Sequence, residues 1–260
     1  MAFHIHVPKP LHGWKAFFNE ISVIVIGVLI ALGLEAVVEE LHWRHKVEEG
    51  RERLRLELRA QFSLAAEQAI VTPCILAQLD RLRDHLGADA AKEAPMPLDY
   101  WPDNVAVLRL PTRPWSHSTW DALQHDGTAI HLNDTEQRYL GGLYSEIEIE
   151  SALTAQSGNA SGQLLATSYK GRLSEQARSQ LLLVVAEQYR RTQYMGRIAG
   201  QIMGLARDLG YQPDDAVVTD YIVNRNFASN TIGFCKKQGY PMIDWKAAEA
   251  KVPPISKRAI

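Results

Sequence analysis

The chain has 260 residues, 46% of them hydrophobic and 22% charged, with a formal net charge of −2. Those values exclude wholesale disorder, and the near-balance of charge argues against a general electrostatic grip on nucleic acid. Two cysteines, Cys74 and Cys235, are too few for a disulfide framework or a thiolate zinc site.

The first feature along the chain is "NEISVIVIGVLIALGLEAVVEELHWRHK". Its uncharged run, Ile21–Leu34, rises only about 21 Å as helix, short of a hydrocarbon core of roughly 30 Å. Phe17 and Phe18 on one side, and Ala36, Val37 and Val38 on the other, lengthen it to about 32 Å. Trp14 and Trp43 stand about 43 Å apart on the same helix, the spacing of an interfacial aromatic belt. Glu20 and Glu35 then fall close enough to the boundaries to reach headgroup water. We expect a flank at 1–16 and a transmembrane anchor at 17–38, with the lipid bilayer as its first partner. A cleaved signal fits less well, because no small-x-small site follows the apolar run. Gly27 and Ala31 make a small-xxx-small pair through which two anchors could associate. His4, His6 and His12 read as solvated rather than metal-binding.

The stretch "EISVIVIGVLIALGLEAVVEELHWRHKVEE" resembles the N-terminal anchor of bacterial single-pass membrane proteins grouped as a domain of unknown function. Their pattern is an acidic residue, "IVIGVLIAL", then a tryptophan followed by a charged helix. The resemblance spans about 40 residues and implies a membrane-anchored helical protein with no assigned activity. It brings no catalytic residues with it.

Arg44, Lys46, Arg51, Arg53 and Arg55 outnumber Lys9 and Lys15, which by charge alone would keep the larger part in the cytoplasm. Long domains, however, translocate largely regardless of flanking charge, and a cysteine pair leans toward an oxidising compartment. The expectation is a single pass of the inner membrane with the C-terminal domain in the periplasm.

Residues 39–240 read as a helical domain. Helix continues past the anchor, with Glu49–Arg53 and Arg53–Glu57 at i,i+4 and a narrow apolar stripe of Val47, Leu54, Leu58 and Phe62. "VTPC" suggests a break, with Thr72 as N-cap and Pro73 at the first helical position. A second helix follows, carrying Ile75, Leu79, Leu82 and Leu86 up to Gly87. Residues 88–133 are proline-rich and read as a loop-rich excursion, with "NVAVLRL" extended and "SHSTWDALQHDG" a short helix capped by Ser116.

Asn133 and Glu136 then form a capping box ahead of Leu140, Leu143, Tyr144 and Ile147. A long helix runs from Ser174 to Gly210 on a stripe including Leu181, Val185, Thr192, Met195, Ile198, Ile202 and Leu205. A short helix near Asp214–Asn224 precedes "FCKKQGYP" and a polar tail at 241–260. Four apolar helical faces buried together give a mainly α fold, an antiparallel bundle with a loop-rich insertion.

Two constellations merit weighing. A Cys74–Cys235 bond would close a loop of about 160 residues. Trp115, His117, Trp120, Asp121 and His125 form a dense cluster in which His117–Asp121 and Asp121–His125 have i,i+4 spacing. That spacing suits an acid–base pair or half a metal site. No HExxH, nucleophile or phosphate loop completes it, so no catalytic residue, metal or cofactor is assigned. The sequence therefore points first to a membrane-anchored interaction or scaffold protein without catalysis, with a protein partner or a homo-oligomer. A sensory or small-ligand-binding bundle comes second, and an enzyme using the 115–126 cluster third.

Overall fold

The computed structural model describes residues 13–88, 95–101, 104–223 and 226–251; His4, His6, His12, Pro253 and Pro254 lie outside them. The chain divides into two units, Met1–Glu49 and Gly50–Ile260. It is mainly α.

Helix α1 spans Trp14–Gly87. From Phe17 to Leu41 its large apolar side chains are exposed, Val23 by 66% and Leu29 by 62%. Among the described residues this is the single helix long and apolar enough to cross a membrane. Its one hydroxyl in that stretch is satisfied internally, Ser22 Oγ donating to the Phe18 carbonyl at 2.7 Å.

In the second unit α1 is a central post. Leu54, Leu58 and Phe62 are fully buried, and from Gln61 to Val71 every residue is buried, so the narrow stripe widens into burial all round. Ala65, Ala66 and Ala69 allow neighbouring elements to approach closely on several sides.

The break expected at Thr72–Pro73 is absent: α1 runs through Pro73. Thr72 Oγ1 donates back to the Gln68 carbonyl at 2.7 Å instead of capping a new helix. A mid-helix proline disturbs the turn before it and leaves carbonyls short of donors. Pro73 leaves the Ala69 carbonyl without its usual donor, and the Ile243 N–H from far along the chain reaches the next carbonyl, that of Ile70, at 3.4 Å. Ile75, Leu79, Leu82 and Leu86 are buried as expected, and the helix ends at Gly87. Its last carbonyls are capped by Arg178, whose Nη2 donates to Leu86 and, at 2.5 Å, to Ala88.

The excursion holds an antiparallel pair of three-residue strands, β1 (Asp99–Trp101) and β2 (Asn104–Ala106), with Tyr100 opposite Val105. Beyond it the Gln78 side chain acts as a backbone surrogate. Its Oε1 accepts the Arg109 N–H at 2.7 Å and its Nε2 donates to the Arg109 carbonyl at 3.3 Å. Helix α2 (Ser118–His125) leads through the left-handed Gly127, φ 81°, into a 3-10 turn at Thr128–His131.

Helix α3 (Asp134–Leu164) opens on the expected Asn133–Glu136 capping box, with Leu140, Leu143, Tyr144 and Ile147 buried. Helix α4 (Glu175–Asp208) opens on Ser174, whose Oγ accepts the Ala177 N–H at 3.2 Å. It closes on Gly210 at φ 76°, with Tyr211 N donating to Ala206 and Gly210 N to Arg207, a Schellman cap.

Contacts fix the directions. Arg51 meets Glu136 and Glu57 meets Tyr144, so α1 and α3 run parallel. Gly196 lies against Thr72 and Arg178 against Leu86, so α4 is antiparallel to α1. Ser157 meets both Gln188 and Met195, and α3 and α4 are joined by a short connection, so they too are antiparallel. The excursion over 88–133 carries the chain back to the start of the second-unit part of α1, which is why α3 can run alongside it.

Three shorter helices complete the domain: α5 (Asp215–Val223), α6 (Asn226–Lys237) and α7 (Trp245–Glu249). Helix α6 was not expected; it ends in a second Schellman cap at Gly239, φ 67°. The polar tail expected from 241 begins instead with core. Trp245 packs edge-on against Phe62 at 5.6 Å, and Ala248 and Glu249 are buried beside it.

Candidate functional site

The densest polar constellation centres on Glu57 of α1. Its Oε2 accepts from Ser116 Oγ at 3.0 Å, Ser118 Oγ at 3.1 Å, Thr119 Oγ1 at 3.0 Å and the Thr119 N–H at 3.2 Å. Its Oε1 accepts the Tyr144 hydroxyl at 2.7 Å. A carboxylate thus sits at the α2 N-terminus, where free N–H groups and the helix dipole favour negative charge. This modifies the expected cap. The N-cap position is His117, which makes no capping bond, while Ser116 donates its hydroxyl to Glu57 and accepts the Ser118 N–H on Oγ at 3.4 Å.

The five residues singled out in the excursion separate into two sets. Trp120 is buried and stacks on the Tyr144 ring, centroids 5.6 Å apart and planes within 6°. Trp115 donates from Nε1 to Thr154 Oγ1 at 3.2 Å. Both tryptophans fasten the excursion to α3. His117 and Asp121 face outward and pair with each other, Nδ1 to Oδ2 at 2.6 Å, while His125 is exposed one turn further on. Burial, and then the Glu57 carboxylate, hold the Tyr144 phenol well above its ordinary range, so it stays a donor. Among the described residues, three or more His, Cys, Asp or Glu side chains nowhere converge as a metal site would need.

Two further carboxylates were not singled out by their sequence positions. Glu67, fully buried on α1, receives a two-pronged contact from Arg113, Nε to Oε2 and Nη2 to Oε1, both at 2.7 Å. Burial pushes Glu67 up, and the guanidinium works against that push. Glu150 on α3 is also fully buried, but neither of its oxygens has a hydrogen-bond partner among the described residues. Gln61 Oε1 and Glu146 Oε2 are in the same condition. Burial, with the Glu146 charge added, pushes Glu150 up to about 8, so it holds its proton at neutral pH.

Cys74 and Cys235 form a disulfide, with Cα atoms 6.0 Å apart and both residues fully buried. It ties the C-terminal part of α1 to α6. In the first unit Trp14 stacks on Phe18 at 5.8 Å and Lys46 Nζ lies 5.3 Å from the Trp43 ring. Gly27 and Ala31 are exposed, and a Cβ added at Gly27 would meet nothing.

Comparison with known proteins returns no match, whether to a family model, to a curated protein or to a solved structure.

Proposed function

We propose that the chain is a single-pass protein of a bacterial inner membrane that presents a disulfide-stapled helical domain in the periplasm and acts by binding a protein partner. The observation that carries the reading is the buried Cys74–Cys235 bond in a chain that also holds a bare apolar span. Such bonds form and persist in oxidising compartments, and reducing cytoplasm disfavours them. The domain is long enough to translocate whatever the balance of flanking charge. Its principal polar cluster, around Glu57, fastens α2 to α1 and α3, which is the work of a rigid platform.

Affinity purification of the full chain in mild detergent tests the binding role. A stoichiometric membrane or periplasmic protein should co-purify and survive a salt wash. Recovery of the chain alone, at native expression and after cross-linking, contradicts it.

A further inference from the structure

One cavity is lined by none of the residues around Glu57. It is a groove of about 880 Å³ bounded by α1 near Pro73, the middle of α4 and the segment around α7. Small-molecule sites commonly fall between roughly 300 and 1,000 Å³, with apolar walls and a few placed polar groups. Ala69, Pro73 and Leu76 supply one apolar wall, and Ile243 and Ala248 another. Gly196 sets the floor: a Cβ there would come within 2.9 Å of Thr72 Cγ2, so only glycine lets α4 and α1 close beneath the groove.

The polar groups of this groove carry one sign. Arg197 and Lys251 line it together with the neutral amides of Gln193 and Gln201, and among the described residues no carboxylate lines it. Both cations are exposed, and the Arg197 guanidinium is steadied 5.5 Å from the Tyr194 ring. A neighbouring depression of about 350 Å³ shares Gln193 and Arg197 and adds Arg190 and Arg191, against the single acid Glu187. Apolar walls opening onto clustered cations are complementary to an apolar body with a negative head.

We propose that this groove binds a fatty-acid-like amphiphile, its chain on the α1 and α7 walls and its carboxylate on Arg197 and Lys251. The binding is non-covalent. It is independent of any protein partner, so either can fail without the other.

The test is photolabelling of the full chain in neutral phosphatidylcholine nanodiscs with a diazirine-bearing palmitate, mapped by peptide mass spectrometry. Label is expected on peptides containing Ala69–Leu76 and Gln193–Gln201, competed by oleate and spared by methyl oleate. Charge reversal at both cations, Arg197→Glu with Lys251→Glu, should lower groove labelling roughly tenfold or more, the range of charge-assisted hydrogen bonds. Labelling of Ile21–Val38 should stay constant and serves as the internal control. Label confined to that stretch, or equal competition by oleate and its methyl ester, overturns the proposal. So does displacement by inorganic phosphate alone, which would assign recognition to the head without the chain. The comparison of oleate with its ester uses the native chain and needs no variant to fold.

Discussion

Replacing Glu150 with glutamine should stabilise the domain in a pH-dependent way. Glu150 is fully buried on α3, its oxygens have no hydrogen-bond partner among the described residues, and its pKa stands at about 8 against the usual 4.5. The native state therefore keeps a proton that the unfolded chain releases above pH 4.5. Stability must fall as pH rises through that window, by about 1.4 kcal/mol per pH unit for one group, and flatten above the folded pKa. Glu146, also pushed up by burial, adds to the same slope. Glutamine keeps the shape, stays neutral and can donate. Glu150→Gln should match the parent near about pH 5 and exceed it by roughly 2–4 kcal/mol near about pH 8, relaxation and water entry reducing the full linkage value. Denaturant midpoints followed by near-ultraviolet circular dichroism across that range measure this. Parallel pH profiles for parent and variant would refute the reasoning, as would a variant weakened at the alkaline end.

Three further outcomes can be checked on the same preparation. Cys74→Ser with Cys235→Ser removes a link between residues 161 apart and should cost up to about 5 kcal/mol in denaturant midpoint; non-reducing peptide mapping of the parent should recover the Cys74–Cys235 pair, and two free thiols would contradict the structure. Glu57→Ala strands four hydroxyls and the Thr119 N–H, so a loss of about 2–4 kcal/mol is expected, with hydrogen-exchange protection of Ser118–His125 falling first; unchanged protection would dissolve the proposed hub. His117→Ala breaks an exposed pair and should cost less than about 1 kcal/mol by thermal melt, a larger loss pointing to a role the geometry does not contain.

Local signals were the legible part of the fold. The Asn133–Glu136 box, the Ser174 cap and the Gly210 stop each act within a few residues, so their spacing alone announces them. Gly239 behind Lys236 and Lys237 is the same kind of signal, and it marks the end of α6. Pro73 reads as a break in the sequence because the burial of Ala69, Ile70 and Val71 just before it comes from elements far along the chain. Trp245 looked like part of a polar tail because nothing near it reveals that Phe62 receives it. Glu57 reads as one charge in a solvated run, and only the return of the excursion brings Ser116, Thr119 and Tyr144 to it. The same applies to the groove, whose cations and walls come from three separated stretches. The Trp115–His125 cluster was legible as a cluster, yet which face each side chain takes is set by α2 docking on α3, and that contact is tertiary.

The proposed function requires that a membrane anchor hold an oxidised helical domain outside the cytoplasm. Paired fusions of alkaline phosphatase and green fluorescent protein after Ile260, in the same host and with the native anchor, test it directly. Active phosphatase and a dark fluorescent fusion are expected, with both fusions in the membrane fraction. Inactive phosphatase beside a bright fusion would place the domain in the cytoplasm and contradict it.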